Sequence, residues 1–219
     1  VCANEVAERI ARGVTGAVPF LHHQGCGQTP LDLARVDRAL TGLGRNPNLA
    51  GVLLVSLGCE GVNLAAVADG IRAAGKPVAQ VVIQEEGGQA RSVARGQLLA
   101  QALVAEASAL SPKSYPVSEL VLGLKCGASD TTQGLFANPA LGVASDLLVA
   151  AGGTSVLGEV TEFIGAEHIL ARHARTPEVA AAILRLVERM EARAKATGCD
   201  MRGGQPTGGN IKGGLTTIE

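Results

Sequence analysis

The stretch LVLGLKCGASD, residues 120–130, decides how the chain is read. An apolar run of this length and continuity reads as a strand, expected over 118–125, of the kind that is buried on both faces. The run then stops on Lys125, Cys126, Gly127, Ser129 and Asp130. A hydrophobic strand that delivers a lysine, a thiol and a carboxylate to one glycine-containing turn is built as a support for a site. In open α/β sheets, ligands bind beyond the carboxyl ends of the strands.

The same pattern recurs toward the N-terminus. VPFLHHQGCG (18–27) and VLLVSLGCE (52–60) each run from an apolar segment into a turn that holds a cysteine. Strands are expected at AVPFL (17–21), AGVLLVSL (50–57), VAQVVI (78–83), 118–125 and 154–159. Between them, helical spacing and breakers predict helices at 2–13, 31–43, 62–74, 87–110, 139–151, 164–173 and 177–196. Residues 126–137 are expected as a loop, and GGQPTGGNIKGGLTTIE (203–219) has too many glycines for regular structure. Strands alternating with helices imply an α/β fold, Rossmann-like, with a mostly parallel sheet, helices on both faces and right-handed crossovers. One catalytic domain over 1–219 is expected, and any subdivision would fall at SPKSYP (111–116).

If the three cysteine-bearing strands share one sheet, Cys26, Cys59 and Cys126 meet at a common edge, with His22, Glu60, Lys125 and Asp130 beside them. Thiolates near helix N-termini have lowered pKa values and bind soft metals. Each cysteine is otherwise a small buried hydrophobe. His22 and His23 point opposite ways on an extended segment, so at most one faces the site. His22 is therefore a candidate metal ligand or base, or a surface hydrogen-bonding residue. His168 and His173, five apart on a helix, do not share a face.

Lys125 either escapes to solvent or meets an anion; partial burial would depress its pKa and suit it to act as a base. Asp130 caps the following turn or joins the site. Asn138 caps a helix or meets substrate, and Ser129 and the Gly127 backbone are candidate substrate contacts. Glu159 and Glu162 flank a strand end and could join the site, but a solvated face is the default. GGNIKGG (208–214) lacks the order of a P-loop and does not follow a strand. It is a flexible tail or a glycine lid carrying Lys212.

Composition narrows the function classes. The 219 residues carry 19 Lys+Arg against 20 Asp+Glu, and this balance gives no concentrated positive face for nucleic acid. No apolar run approaches the ~18–20 residues that cross a bilayer, so no membrane association is expected. The N-terminus shows no basic-then-apolar signal pattern. Five cysteines without CxxC spacing suit a reducing cytoplasm better than a disulfide framework. An alanine- and glycine-rich helix such as 139–151 suits close packing against a copy, so a homo-oligomer is expected.

The segments HHQGCG, NPNLAGVLLVSLGCE, PVSELVLGLKCGASD, ANPALGVASDLLVAAGGTSVLGEVTEFIGAEH and GGNIKGGLTTIE run over nearly the whole chain. In this order they resemble the altronate/galactarate dehydratase family, which includes the large subunit of sulfolactate sulfo-lyase. The resemblance implies a metal-dependent lyase that removes water, or sulfite, from a small 2-hydroxy acid. Iron(II) is the metal it implies first; an iron–sulfur cluster on three cysteines is the lesser alternative. It also implies a core-domain fragment, because family members extend beyond VCANEVAERI and GGLTTIE. On this reading Lys125, His22, Glu60 and Asp130 are catalytic candidates, and Ser129, Asn138, Gly127 and Lys212 contact substrate. Cys26, Cys59, Cys126 and His22 are the candidate metal ligands. A non-catalytic metal-binding or assembly domain is the competing reading.

Overall fold

The structure, a computed structural model, describes residues 2–218. The chain divides into two compact units, Val1–Pro112 and Lys113–Glu219, with the division inside the Pro-rich break.

The first unit opens with α1 (Asn4–Arg12) and α2 (Pro30–Gly44). Thr29 starts α2 by accepting the Asp32 N–H, and Pro30 at the first turn has its φ already set for a helix. β1 (Val52–Ser56) leads into α3 (Leu64–Arg72), whose first turn is capped by the Asn63 side chain. β2 (Val78–Val82) passes directly into the one-turn α4 (Ile83–Glu86) and then the long α5 (Gln89–Ser108). β1 and β2 pair in parallel from Val52↔Val78 to Ser56↔Val82. Val6, Ile10 and Val14 pack with Ile83 and Ala100 against Leu53 and Val55 of β1. Burying each such side chain is worth about 1.5–3 kcal/mol, so this cluster holds the strands under their rim.

In the second unit β3 (Val121–Leu124) pairs in parallel with β4 (Thr154–Leu157), with Leu124 opposite Leu157. Between them run a π-helical turn at Gln133–Ala137 and α6 (Asn138–Ala150). After β4 come a 3-10 turn (Val160–Phe163), α7 (Glu167–Arg172), α8 (Pro177–Lys195) and α9 (Gly208–Lys212). Thr176 and Pro177 start α8 in the way that Thr29 and Pro30 start α2.

The α/β class and most elements stand within a few residues of expectation; several features do not. β3 is not buried on both faces, since Val121 is 63% exposed, and residues 126–137 are not all loop, since Gln133–Ala137 form a π-helical turn. Residues 17–21 form no strand: Val18 is 89% and Phe20 63% exposed, so this apolar run has no sheet to enter. The described strands form two two-stranded sheets rather than one, because β3 and β4 pair with each other. The glycine-rich end is not wholly irregular either, since Thr207 and Asn210 exchange hydrogen bonds as a capping box that nucleates α9. Among the described residues no helix is long and apolar enough to cross a membrane.

Candidate functional site

Each unit builds a rim at the carboxyl end of its first strand. In the first unit β1 ends at the buried Ser56 and turns through Gly58, at φ +112°. That conformation is open to glycine and strained for other residues. The loop carrying Cys59 and Glu60 is tied to the loop carrying Cys26 by the Gly61 N–H, which donates to the Gly25 carbonyl at 2.8 Å. Two of the three cysteine turns therefore meet, although residues 17–21 are not a strand. Both thiols are exposed.

Glu60 turns back into its own loop, accepting the Gly58 N–H at 2.8 Å. Burial pushes its carboxyl up. The Ser56 hydroxyl and the N–H groups of Glu60, Gly58 and Cys59 outweigh that and hold it below the usual carboxylate range. Glu60 and Ser56 line a small cavity of about 190 Å³ with Glu85 and Val62. His22 is half-buried, and its Nδ1 accepts the Gln24 N–H at 3.3 Å. Burial, with His23 beside it, lowers its pKa, so the ring is neutral at pH 7 with its proton assigned to Nε2. His23 is exposed, as the alternation on an extended segment requires.

In the second unit β3 hands over to Lys125, whose side chain is 72% exposed. The partial burial considered for it is absent. Its ammonium instead donates to the Cys126 carbonyl and stands 3.5 Å from Glu159 Oε1. Glu159 Oε2 accepts the Cys126 N–H at 2.8 Å. The Cys126 thiol lies 3.5 Å from the Ser129 hydroxyl. Asp130 caps the next turn: its Oδ1 accepts from the Thr132 hydroxyl and from the N–H groups of Thr132 and Gln133. The Thr132 hydroxyl, then those two N–H groups, hold its carboxyl below the usual range.

The C-terminal segment docks on this turn. Asn210 donates to the Ser129 carbonyl at 2.9 Å, and the Thr131 hydroxyl donates to the Gly213 carbonyl at 2.7 Å. Gly214, at φ +94°, brings its backbone so close that a Cβ there would lie 2.1 Å from the Thr131 hydroxyl. Between tail and turn lies a cavity of about 530 Å³. Cys126, Ser129, Gln133, Asn138, Asn210 and Thr217 line it, together with Glu162. Gln205 donates to Glu162 at 3.5 Å across it. Arg202 anchors the approach to the tail through Glu191 at 2.7 Å and Glu167 at 2.8 Å. Hydrogen bonds to both carboxylates raise its pKa further.

The structure thus brings Cys126, Ser129 and Asn138 to one cavity. Lys125, Gly127 and Asp130 stand in the adjoining turn. Lys212 ends α9, exposed, outside the cavity lining. Among the described residues, no group of three or more His, Cys, Asp or Glu side chains is placed to hold a metal ion. The thiols, imidazole and carboxylates suit a divalent metal chemically, but these side chains do not converge on one. The sequence offered Glu159 and Glu162 as residues that could join the site, with a solvated face as the default, and it did not single out Gln133, Gln205 and Asn210. A carboxylate just past the end of β4, the strand that pairs with β3, was the available signal. Glu159 also holds φ 60° and ψ 69° without being glycine. Such a backbone costs about 1–3 kcal/mol and gathers at functional sites.

The fold and the rims define an α/β protein with polar turns at the carboxyl ends of parallel strands, the usual place for chemistry in that class. Residues 1–108 match the D-galactarate dehydratase/altronate hydrolase second domain, and residues 117–219 match the D-galactarate/altronate dehydratase C-terminal domain. The chain belongs to the D-galactarate/altronate dehydratase family. It is 40% identical over 99% of its length to (2R)-sulfolactate sulfo-lyase subunit beta of Chromohalobacter salexigens, covering 55% of that protein. It is 34% identical over 100% of its length to altronate dehydratase of Bacillus subtilis, covering 45% of it. Galactarate dehydratase (L-threo-forming) of Escherichia coli is 35% identical over 83% of the chain and 36% of that protein. The chain spans about half the length of the first two of these relatives. No solved structure matches it significantly.

Proposed function

We propose that the chain is the catalytic part of a hydro-lyase that removes water from a polyhydroxy acid of the altronate or galactarate kind. The observation that carries this reading is the cavity of about 530 Å³ in the second unit. Its lining is rich in neutral donors and acceptors (Ser129, Thr131, Gln133, Asn138, Gln205 and Asn210), with Glu162 the one charged side chain among the described residues. Such a lining suits a chain of hydroxyl groups, each of which needs a partner on leaving water.

In the proposed reaction the proton beside the substrate carboxylate is removed and the β-hydroxyl leaves as water. The resulting enol then tautomerises to a 2-keto-3-deoxy acid. Lys125 is the first choice of base, supported by its place next to the cavity-lining Cys126, and the Gly127 turn holds the carboxylate. Glu162, inside the cavity, assists the departing hydroxyl. Asp130 keeps the turn in shape through its cap. A divalent metal, iron(II) first, belongs to the reading on the chemistry of Cys26, Cys59, Glu60 and His22. Among the described residues these side chains form no three-ligand group. Free thiols throughout support a cytoplasmic setting, and a homo-oligomer remains part of the proposal.

The test uses the complete enzyme with altronate, galactarate and (2R)-sulfolactate, following keto-acid formation. Asn138→Ala and Gln205→Ala each raise KM by about tenfold, the effect of losing one good substrate hydrogen bond. Lys125→Ala lowers kcat by at least ~100-fold with the fold intact. No turnover of either sugar acid, or unchanged KM in both amide variants, overturns the reading. The 40% identity to a sulfo-lyase subunit favours a second reading, in which the leaving group is sulfite. Sulfite release from sulfolactate, without water loss from the sugar acids, selects that one.

A further inference from the structure

We propose that Glu159 is a positioning residue that braces the Lys125–Cys126 turn against the end of β4, so that the cavity wall is preformed. This rests on the reading above, which makes that turn part of the site. Three observations converge on it. The β3–β4 pairing continues one step past the strands, since the Gly158 N–H donates to the Leu124 carbonyl at 3.0 Å. That bond sets residue 159 directly across from the turn. The Glu159 backbone then takes the left-handed conformation at φ 60°, which glycine adopts without strain and glutamate does not. Its two carboxylate oxygens divide between the Cys126 N–H at 2.8 Å and the Lys125 ammonium at 3.5 Å.

Where glycine would be unstrained, what glutamate adds is its side chain. Here that side chain satisfies the first N–H of the turn and holds the lysine back over it. The Glu159 carbonyl also accepts the Glu162 N–H at 2.9 Å, so the same residue starts the 3-10 turn that carries Glu162 to the cavity. One strained residue thereby sets both walls of the site.

The test compares Glu159→Gly and Glu159→Gln in the complete enzyme. Glycine relieves the backbone and removes both bonds, so its melting temperature stays level or rises while kcat falls by about tenfold or more and KM moves little. Glutamine keeps an oxygen for the Cys126 N–H and restores most of the lost rate. A second readout needs no turnover: peptide-resolved alkylation of Cys126 quickens by about fivefold in Glu159→Gly and stays at the wild-type rate in Glu159→Gln. A merely structural role would lower stability and activity together, with no rescue by glutamine. Unchanged kcat and unchanged Cys126 alkylation in Glu159→Gly overturn the proposal, as does a glutamine variant that alkylates as the glycine one does. Should the wild-type enzyme prove inert on all three acids, the functional reading fails while the alkylation arm still judges the brace.

Discussion

The two units use the same parallel pair of strands and stabilise it differently. The first surrounds β1 and β2 with buried aliphatic side chains, from Val6 and Ile10 to Ile71 and Val81. The second buries only Leu148, Ile164 and Val187 among its described apolar residues, and leaves Val121, Leu147 and Val156 largely exposed. Its order comes instead from caps, the Arg202 anchor and backbone bonds between tail and turn. An apolar core is insensitive to its polar rim, whereas a structure held by hydrogen-bonded turns is shaped by the residues that form its site.

The sharpest way to break this contrast is at the cores. Ile71→Ala, at a fully buried position of the first unit, should cost about 2–5 kcal/mol in denaturant unfolding, and Leu148→Ala in the second should fall at or below the low end of that range. Equal losses would mean that the second unit relies on apolar packing after all. Next comes the tail. Gly214→Ala meets both an unfavourable φ and the Thr131 hydroxyl, and about 1–3 kcal/mol of lost docking should appear as faster proteolysis of residues 203–218.

Much of this was legible beforehand. Helices α2 and α8 stand close to the 31–43 and 177–196 that the sequence predicts, because helical spacing and breakers are local chemistry. Two of the three cysteine turns, those of Cys59 and Cys126, do follow strands as expected; that of Cys26 does not. Strand pairing was not legible, because which apolar run finds which partner is settled by contacts far apart in the chain. Residues 17–21 look as strand-like as residues 52–56, yet only the latter find a neighbour. The role of Glu159 stayed open because it depends on standing across from Cys126, a fact of register and not of spacing.

Acid should act on the bonded carboxylates of the second unit, with smaller effects. The folded-state pKa values of Asp130 and Glu167 both lie below normal. For Glu167, burial raises the value and the Arg202 guanidinium with nearby N–H groups more than reverses it. Groups depressed in this way stabilise fully above their unfolded values near pH 4 and lose that contribution as pH falls through the folded ones. The stability gap between wild type and Asp130→Asn should therefore narrow from pH 7 to pH 3 in urea titrations. A constant gap would show that the cap owes nothing to charge. The smallest effect belongs to the surface of the first unit. Arg9 and Glu5 pair on α1 with both side chains 57% exposed, so Arg9→Ala should cost only about 0.3–0.5 kcal/mol and less at high salt.

The bond from the Gly61 N–H to the Gly25 carbonyl has a consequence for descent. Being main chain to main chain, it ties the two loops without using the side chains at 22, 26, 59 or 60. Those positions are free to be exchanged while the knot between the loops survives. A lineage can thus retool this edge for a new substrate by point changes alone, without inventing another scaffold.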